Sequence, residues 1–265
     1  MKSSRSWYLR PLFLLFAAVL VLAAWVGFSI LTLPSVAPLA SSRTSMTITV
    51  KDWKKRDRPF VVGPRNPRWA PYGAIPSAMK KAVVAAEDGN FYAHEGVDYE
   101  AMKEAIMVDI RRGKFVRGGS TITQQLAKNL YLTREKTIVR KLKEIILARR
   151  IDETISKRRI LELYLNVVEL GPMVYGVGHA ADYYFGKPPS ALTVRECALL
   201  ASMLPGPRIY NPYRKMSRVM KRSNRILRRM AGARMITREE YRAALAEVPN
   251  LAGLERKVEK SIENP

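Results

Sequence analysis

Between Pro11 and Leu33 the chain carries no charged residue. The run contains LFLLFAAVLVLAAWVGFSILTL and approaches the ~20 residues that span a bilayer as a helix. The apolar part of a cleavable signal is shorter, about 7–15 residues. The following VAPLASS puts Pro38 where a cleavage site wants a small residue. A retained single anchor over 11–33 is therefore expected, with a cleaved signal as the alternative. Lys2, Arg5 and Arg10 precede the run, so segment 1–10 is expected in the cytoplasm and everything after residue 33 outside it.

Charge narrows the partners. The 265 residues hold 46 Lys and Arg against 23 Asp and Glu, a net +23, of which the anchor part accounts for three and the exported part for +20. A basic protein at a membrane surface favours an anionic partner. Export argues against nucleic acid, and no nucleic-acid motif is present. Anionic lipid head groups or a phosphorylated lipid substrate fit better. Hydrophobic residues, at 48%, suffice for a core. The one cysteine, Cys197 in RECALLASML, excludes an internal disulfide and reads as a small buried hydrophobe.

Segment 34–74 is rich in Pro, Ser, Thr and charge, with one strand-like piece, SMTITVKDW. It reads as a stalk leading into a single domain over 75–265. From Ile75 the pattern is mainly helical. Pro76 and Ser77 start a helix that Gly89 stops, and DYEAMKEAIMVDIRR ends at Gly113. TITQQLAKNLYL follows a Gly-rich turn. In EKTIVRKLKEIILARRIDETIS, Ile138, Leu142, Ile145 and Ile146 form an apolar stripe. KRRILELYLNVVEL, VRECALLASML, MSRVMKRSNRILRRMAGARMI and TREEYRAALAEV are further helices, and 171–189 reads as a loop rich in Gly, Tyr and Pro.

Three stretches carry chemistry. In AVVAAEDGNFYAHEGVD an apolar helix ends on Glu87 and Asp88. Desolvation and the negative helix end both raise a carboxylate pKa, which suits a general acid or base at neutral pH. An acid paired with a nearby cation is the alternative. In GGSTITQQLAK, Gly118 and Gly119 allow close backbone approach, and Thr121 with Gln124 has capping-box spacing. Such a helix N-terminus binds phosphate. Lys128 lies two turns on, and an ordinary capped helix is the bland alternative. In RKLKE, Arg140 and Glu144 share a helix face, either as a surface ion pair or as part of a cationic patch with Lys136, Lys141 and Lys143.

Other signals fail. SAMK at Ser77 matches S-x-x-K of penicillin-binding transpeptidases, but S-x-N and K-T-G are missing. His94 and His179 are the only histidines and have no metal-site spacing, so no metal site is expected and His94 reads as a hydrogen-bonding structural residue. The RRM and ARR clusters read as facing membrane or solvent. Phe115 and Val116 lie between basic residues and are candidates to dip into the lipid interface.

Taken together and in order, these pieces resemble the membrane-anchored peptidoglycan glycosyltransferases (glycosyltransferase family 51) in their monofunctional form. The first family motif, E-D-x-x-F-x-x-H-x-G, is complete as Glu87, Asp88, Phe91, His94 and Gly96. The second, G-G-S-T-I-T-Q-Q, runs from Gly118 to Gln125. The third is Arg140, Lys141 and Glu144. The fourth is Lys157, Ile160, Leu161, Glu162, Tyr164, Leu165 and Asn166. YYFGK and ECALLASMLPGP match later landmarks, so the resemblance covers about 75–212.

The resemblance implies a mainly α, lysozyme-like two-lobed domain behind a transmembrane helix, its small lobe against the bacterial inner membrane and its cleft on the periplasmic side. It implies lipid II as acceptor and the growing polyprenyl-pyrophosphate glycan as donor, joined with inversion to a β-1,4 bond. Glu87 is implied as general base, with Glu144 orienting the pyrophosphate, alone or through a divalent ion (Mg or Mn). No cofactor is required. Lys128, Lys136, Arg140 and Lys143 are implied to neutralise the leaving pyrophosphate. Ser120, Thr121, Gln124 and Gln125 would line the donor cleft, and Asp88, Phe91 and His94 join the substrate-binding set. A separate transpeptidase is the expected partner, because no crosslinking domain is present in the sequence.

The loop GPMVYGVGHAADYYFGK departs from the pattern at Pro172, Met173, Gly178 and His179. Two rivals stand beside this reading: a lysozyme-like lytic enzyme cutting the same glycan, and an inactive assembly factor, against which intact Glu87 and Glu144 argue.

Overall fold

The computed structural model describes residues 6–52, 54, 56–113, 118–133, 135, 137–207 and 209–252. Phe115, Val116 and Lys136, singled out above, lie outside the described residues. Helix α1, Ser6–Leu31, opens the chain. Within it Phe13–Leu31 is the one stretch among the described residues long and apolar enough to cross a membrane. Phe13, Phe16, Trp25 and Phe28 are exposed, as a lipid-facing helix requires.

The segment expected as a stalk lies on the body. Strand β1, Met46–Lys51, pairs antiparallel with β2, Asp57–Val62, with Met46 opposite Val62. β2 was not anticipated because Pro59 sits inside it. A two-stranded ribbon has only edge strands, so the missing N–H costs little. Asp52 closes the ribbon's turn by accepting from the backbone N–H of Arg56 at 2.9 Å. Val36, Leu39, Ile48 and Val62 are buried in the common core.

The helical body follows: α2 Ser77–Glu87, α3 Tyr99–Arg112, α4 Ile122–Tyr131, α5 Ile138–Thr154 and α6 Lys157–Val167. A short hairpin, β3 Glu169–Gly171 with β4 Val174–Tyr175, leads to α7, Val177–Phe185. Then come α8 Val194–Met203, α9 Pro212–Gly232 and α10 Arg238–Ala246, α9 being interrupted by non-helical backbone at Lys215. The mainly α architecture matches the expectation. α6 and α8 run through the centre: every residue from Ile160 to Val167 and from Arg195 to Met203 is buried. Each fully buried leucine there, such as Leu161, contributes roughly 1.5–3 kcal/mol relative to exposure. Cys197 is fully buried on α8, as expected.

Two local expectations are corrected. The buried face of α5 is Glu144, Leu147, Ala148 and Ile151, whereas Ile138 is 82% exposed and Leu142 41%. The apolar stripe was drawn one face away because it left no room for a buried carboxylate. The presumed loop 171–189 holds β4 and α7. Its glycines serve as the helix's ends: Gly176 (φ 79°) precedes it, and Gly186 (φ 64°) caps it in the left-handed conformation.

Candidate active site

The site begins where α2 stops. Glu87 is the last residue of the helix and Asp88 caps it, its N–H bonding the Val84 carbonyl at 2.9 Å. The Asp88 carboxylate then turns into the protein. It meets His94 Nε2 at 3.0 and 3.1 Å and accepts from the backbone N–H of Ile122 at 2.9 Å. A carboxylate at the N-terminus of α4 is favoured by the helix dipole. Asp88 thus ties the end of α2 to the start of α4, and His94 is the hydrogen-bonding structural residue its spacing suggested. Phe91 is fully buried beneath the turn. Lys157 holds the same turn, donating to the His94 carbonyl at 2.5 Å and to Asp152 at 2.6 Å.

Glu87 itself faces a cleft of about 790 Å³. Gln125 Nε2 donates to Glu87 Oε2 at 2.9 Å, and the hydroxyl of Tyr164 donates to Gln125 Oε1 at 3.0 Å. Burial pushes the Glu87 pKa up. The Gln125 bond and the charges of Arg222 and Lys128 pull it down, Asp88 adds to the rise, and the net shift is upward.

The GGST turn forms the next wall. Thr121 and Gln124 make the capping box the spacing predicted, Gln124 N–H to Thr121 Oγ1 at 3.1 Å and Thr121 N–H to Gln124 Oε1 at 2.9 Å. Thr121 also donates its hydroxyl to the Gly96 carbonyl at 2.6 Å. These side chains frame the turn, Thr121 and Gln124 both being buried. Ser120 and Gln125 line the cleft with Thr121. Gly119 packs so closely on α3 that an added Cβ would stand 2.9 Å from that of Ala105.

Behind Ser120 lies an ion cluster. Arg140 Nη1 and Lys141 Nζ each pair with one oxygen of the buried Glu144, and Lys141 also donates to Ser120 Oγ at 2.9 Å. Lys128 is half-buried on α4, close enough to influence Glu87. Lys143 is half-buried on α5 and does not line the cleft, and neither does His179. The sequence reading singled out Lys143 from this run of lysines. The structure brings Lys141 to Ser120 and Glu144 instead, and the i, i+3 spacing to Glu144 was its signal.

The opposite wall was missed altogether. Arg222, Arg225 and Arg229 of α9 line the cleft beside Ile226 and Met235. Arg229 belongs to the RRM cluster expected to face membrane or solvent. It is exposed, as expected, and also reaches α2, Nη1 donating to the Ala85 carbonyl at 3.4 Å. Its signal was the i, i+3, i+7 spacing of the three arginines on one helix face.

Such a cleft, with a desolvated carboxylate at a helix end and a row of arginines along one wall, suits a helical enzyme acting on an anionic substrate. The chain belongs to the transglycosylase family, whose model matches residues 58–231. It is 39% identical over 236 residues to a biosynthetic peptidoglycan transglycosylase of Nitrosomonas eutropha, covering 87% of this chain and 92% of that protein. A protein of the same description from Herminiimonas arsenicoxydans is 44% identical over 63% of this chain and 73% of its own length. Penicillin-binding protein 1A of Aquifex aeolicus is 48% identical over 64% of this chain and 24% of that protein.

Proposed function

We propose that this membrane-anchored peptidoglycan glycosyltransferase polymerises lipid II into linear glycan strands for cell-wall synthesis, with Glu87 as its general base. The observation that carries the role of Glu87 is its desolvated carboxylate, fixed through one oxygen by Gln125 and open to the cleft. The acceptor sugar hydroxyl gives its proton to Glu87 as its oxygen forms the new bond to the donor's anomeric carbon. The bond from that carbon to the pyrophosphate oxygen breaks, the oxygen keeps the electron pair, and the centre inverts. Lys128 and the Arg140–Lys141–Glu144 cluster take up the charge that develops on the leaving group. Lys136 and Lys143 join them by resemblance.

The same donor set argues against a divalent ion held by the protein. Both Glu144 oxygens are engaged by cations, and no group of three His, Cys, Asp or Glu capable of holding a metal occurs among the described residues. Magnesium or manganese would arrive on the pyrophosphate.

The lytic alternative needs a second working carboxylate across the sugar. Asp88 is committed to His94 and Ile122, Asp98 caps α3 through the Ala101 N–H at 2.8 Å, and Glu144 is clamped. The body is read as lying on the periplasmic face of the inner membrane, from the basic residues before α1. Linear strands become a wall only when crosslinked, so a separate transpeptidase is the partner this reading calls for.

Incubation of the detergent-solubilised protein with labelled lipid II is expected to give polymer, and Glu87→Gln to abolish it. Cleavage of preformed glycan without polymerisation would replace this reading with the lytic one.

A further inference from the structure

We propose that Arg222, Arg225 and Arg229 form a second anion site in the cleft, which takes an oxyanion of the glycan substrate, a peptide carboxylate or a phosphate. The inference rests on the reading of the cleft as the lipid II site and adds a contact that neither the family motifs nor the cations of α4 and α5 supply.

Three observations carry it. First, the row is built. Its helix buries Val219, Ser223, Leu227 and Met230 on a neighbouring face, with Ile226 at the boundary lining the cleft, so the packing of α9 itself turns the arginines toward the cleft. The fully buried Arg195 of α8 fixes the register, donating to Ser223 Oγ at 3.2 Å and to Asn224 Oδ1 at 2.6 Å, between the first two arginines. Second, although Glu87, Asp88 and Asp98 line the same cleft, none of the three arginines forms an ion pair among the described residues. Third, the Nε of Arg222 is buried without a hydrogen-bond partner, while its guanidinium stacks over Tyr210 at 5.3 Å. A half-buried guanidinium with an unused Nε donor, followed by two exposed ones along a groove, is an arrangement that binds oxyanions through paired N–H groups.

The position has a chemical consequence. The charge of Arg222 offsets part of the rise that burial imposes on the Glu87 pKa. An oxyanion seated on Arg222 cancels that charge, so Glu87 becomes a stronger base when substrate fills the site.

The test measures binding of fluorescent lipid II, and of the same lipid-linked disaccharide without its peptide, to full-length Glu87→Gln protein in detergent. Arg225→Gln and Arg229→Gln are introduced singly and together. Arg228→Gln, exposed on the same helix but outside the cleft, is the control. Each row substitution is expected to weaken lipid II binding about 10-fold, the loss of one charge-assisted contact, with Arg228→Gln unchanged. A loss confined to the peptide-bearing ligand assigns a carboxylate, and an equal loss for both ligands assigns a phosphate. Unchanged affinity in the double variant, or an equal loss in Arg228→Gln, overturns the proposal. Polymerisation by the wild type is scored separately: no polymer with arginine-dependent binding sinks the glycosyltransferase reading and leaves the anion site standing.

Discussion

Gln125 presents its amide N–H to Glu87, and not its carbonyl, because Tyr164 occupies the other end of the same amide. The two bonds, 2.9 and 3.0 Å, join α2, α4 and α6 through groups far apart in sequence. Tyr164 is fully buried, and its own pKa is raised well above the ordinary value by burial and by the nearby Glu87 and Asp88. It therefore stays a hydroxyl donor at any working pH.

Removing that hydroxyl frees the amide to turn its oxygen toward Glu87, which favours the protonated acid. Tyr164→Phe is expected to lower kcat about 10-fold, corresponding to one lost hydrogen bond, with little change in KM. The Gln125 bond lowers the Glu87 pKa, so its loss shifts the acid limb of the kcat/KM profile to higher pH. A pH profile of wild type and variant side by side decides the matter. A uniform loss with an unmoved limb would mean Tyr164 serves packing alone.

The wild-type profile carries its own prediction. As the proposed base Glu87 must be ionised to accept a proton, and its pKa is raised by burial. Activity is expected to rise with pH through a midpoint above the ordinary carboxylate range, near 4.3, and that rise should vanish in Glu87→Gln with any residual activity.

The same shift has a cost in stability. A carboxyl whose folded pKa exceeds its unfolded value binds more protons when folded, so stability falls as pH climbs through that window. Glu87→Gln removes the buried charge and keeps an acceptor for Gln125. Its Tm is expected to exceed wild type at neutral pH, with the difference shrinking in acid. Thermal melts at two pH values measure it, and a lower Tm at neutral pH would contradict the sign.

The Glu144 cluster behaves as a unit. Lys141→Met leaves Glu144 with one cation and deprives Ser120 of its donor. Breaking a buried pair by removing one partner costs about 3–5 kcal/mol, reduced here because the Lys141 side chain is a third exposed and Arg140 remains. Chemical denaturation is expected to show a loss of about 1–3 kcal/mol for Lys141→Met, and much less for Lys143→Met, which lies outside the cluster.

Gly119→Ala tests the seat of α3. The new methyl would stand 2.9 Å from Ala105 Cβ and 3.0 Å from Met102 Cα, a backbone atom that cannot swing away. Overpacking of this kind costs about 1–3 kcal/mol, and the displaced turn also carries Ser120, so polymerisation should fall together with Tm.

What the sequence disclosed was local. Thr121 and Gln124 lie three apart and cap the helix they begin. Glu87 ends an apolar helix and is accordingly desolvated. What stayed hidden depended on partners distant in the chain. The buried face of α5 could not be read from apolar spacing, because the residue that defines it, Glu144, is buried through Arg140 and Lys141 reaching around it. The glycines at 176 and 186 suggested a loop until the helix between them supplied the buried Val177, Ala180 and Tyr184. The arginine row was legible as spacing, but only the packing of α9 against α8 decides which way it points.

The attachment of the lead-in segment fixes how the enzyme meets its membrane. Asn166 bonds both the N–H and the carbonyl of Ala70 at 2.8 Å, and Arg159 holds the carbonyls of Leu39 and Ser41 at 3.1 and 3.0 Å. Only Thr32 to Ser35 separate the end of α1 from the buried Val36. Fully extended, four residues reach ~14 Å at most. The body therefore cannot stand more than about that far from the end of the membrane helix. A substrate whose lipid tail stays embedded thus meets the cleft close to the membrane surface, within the reach of that short connection.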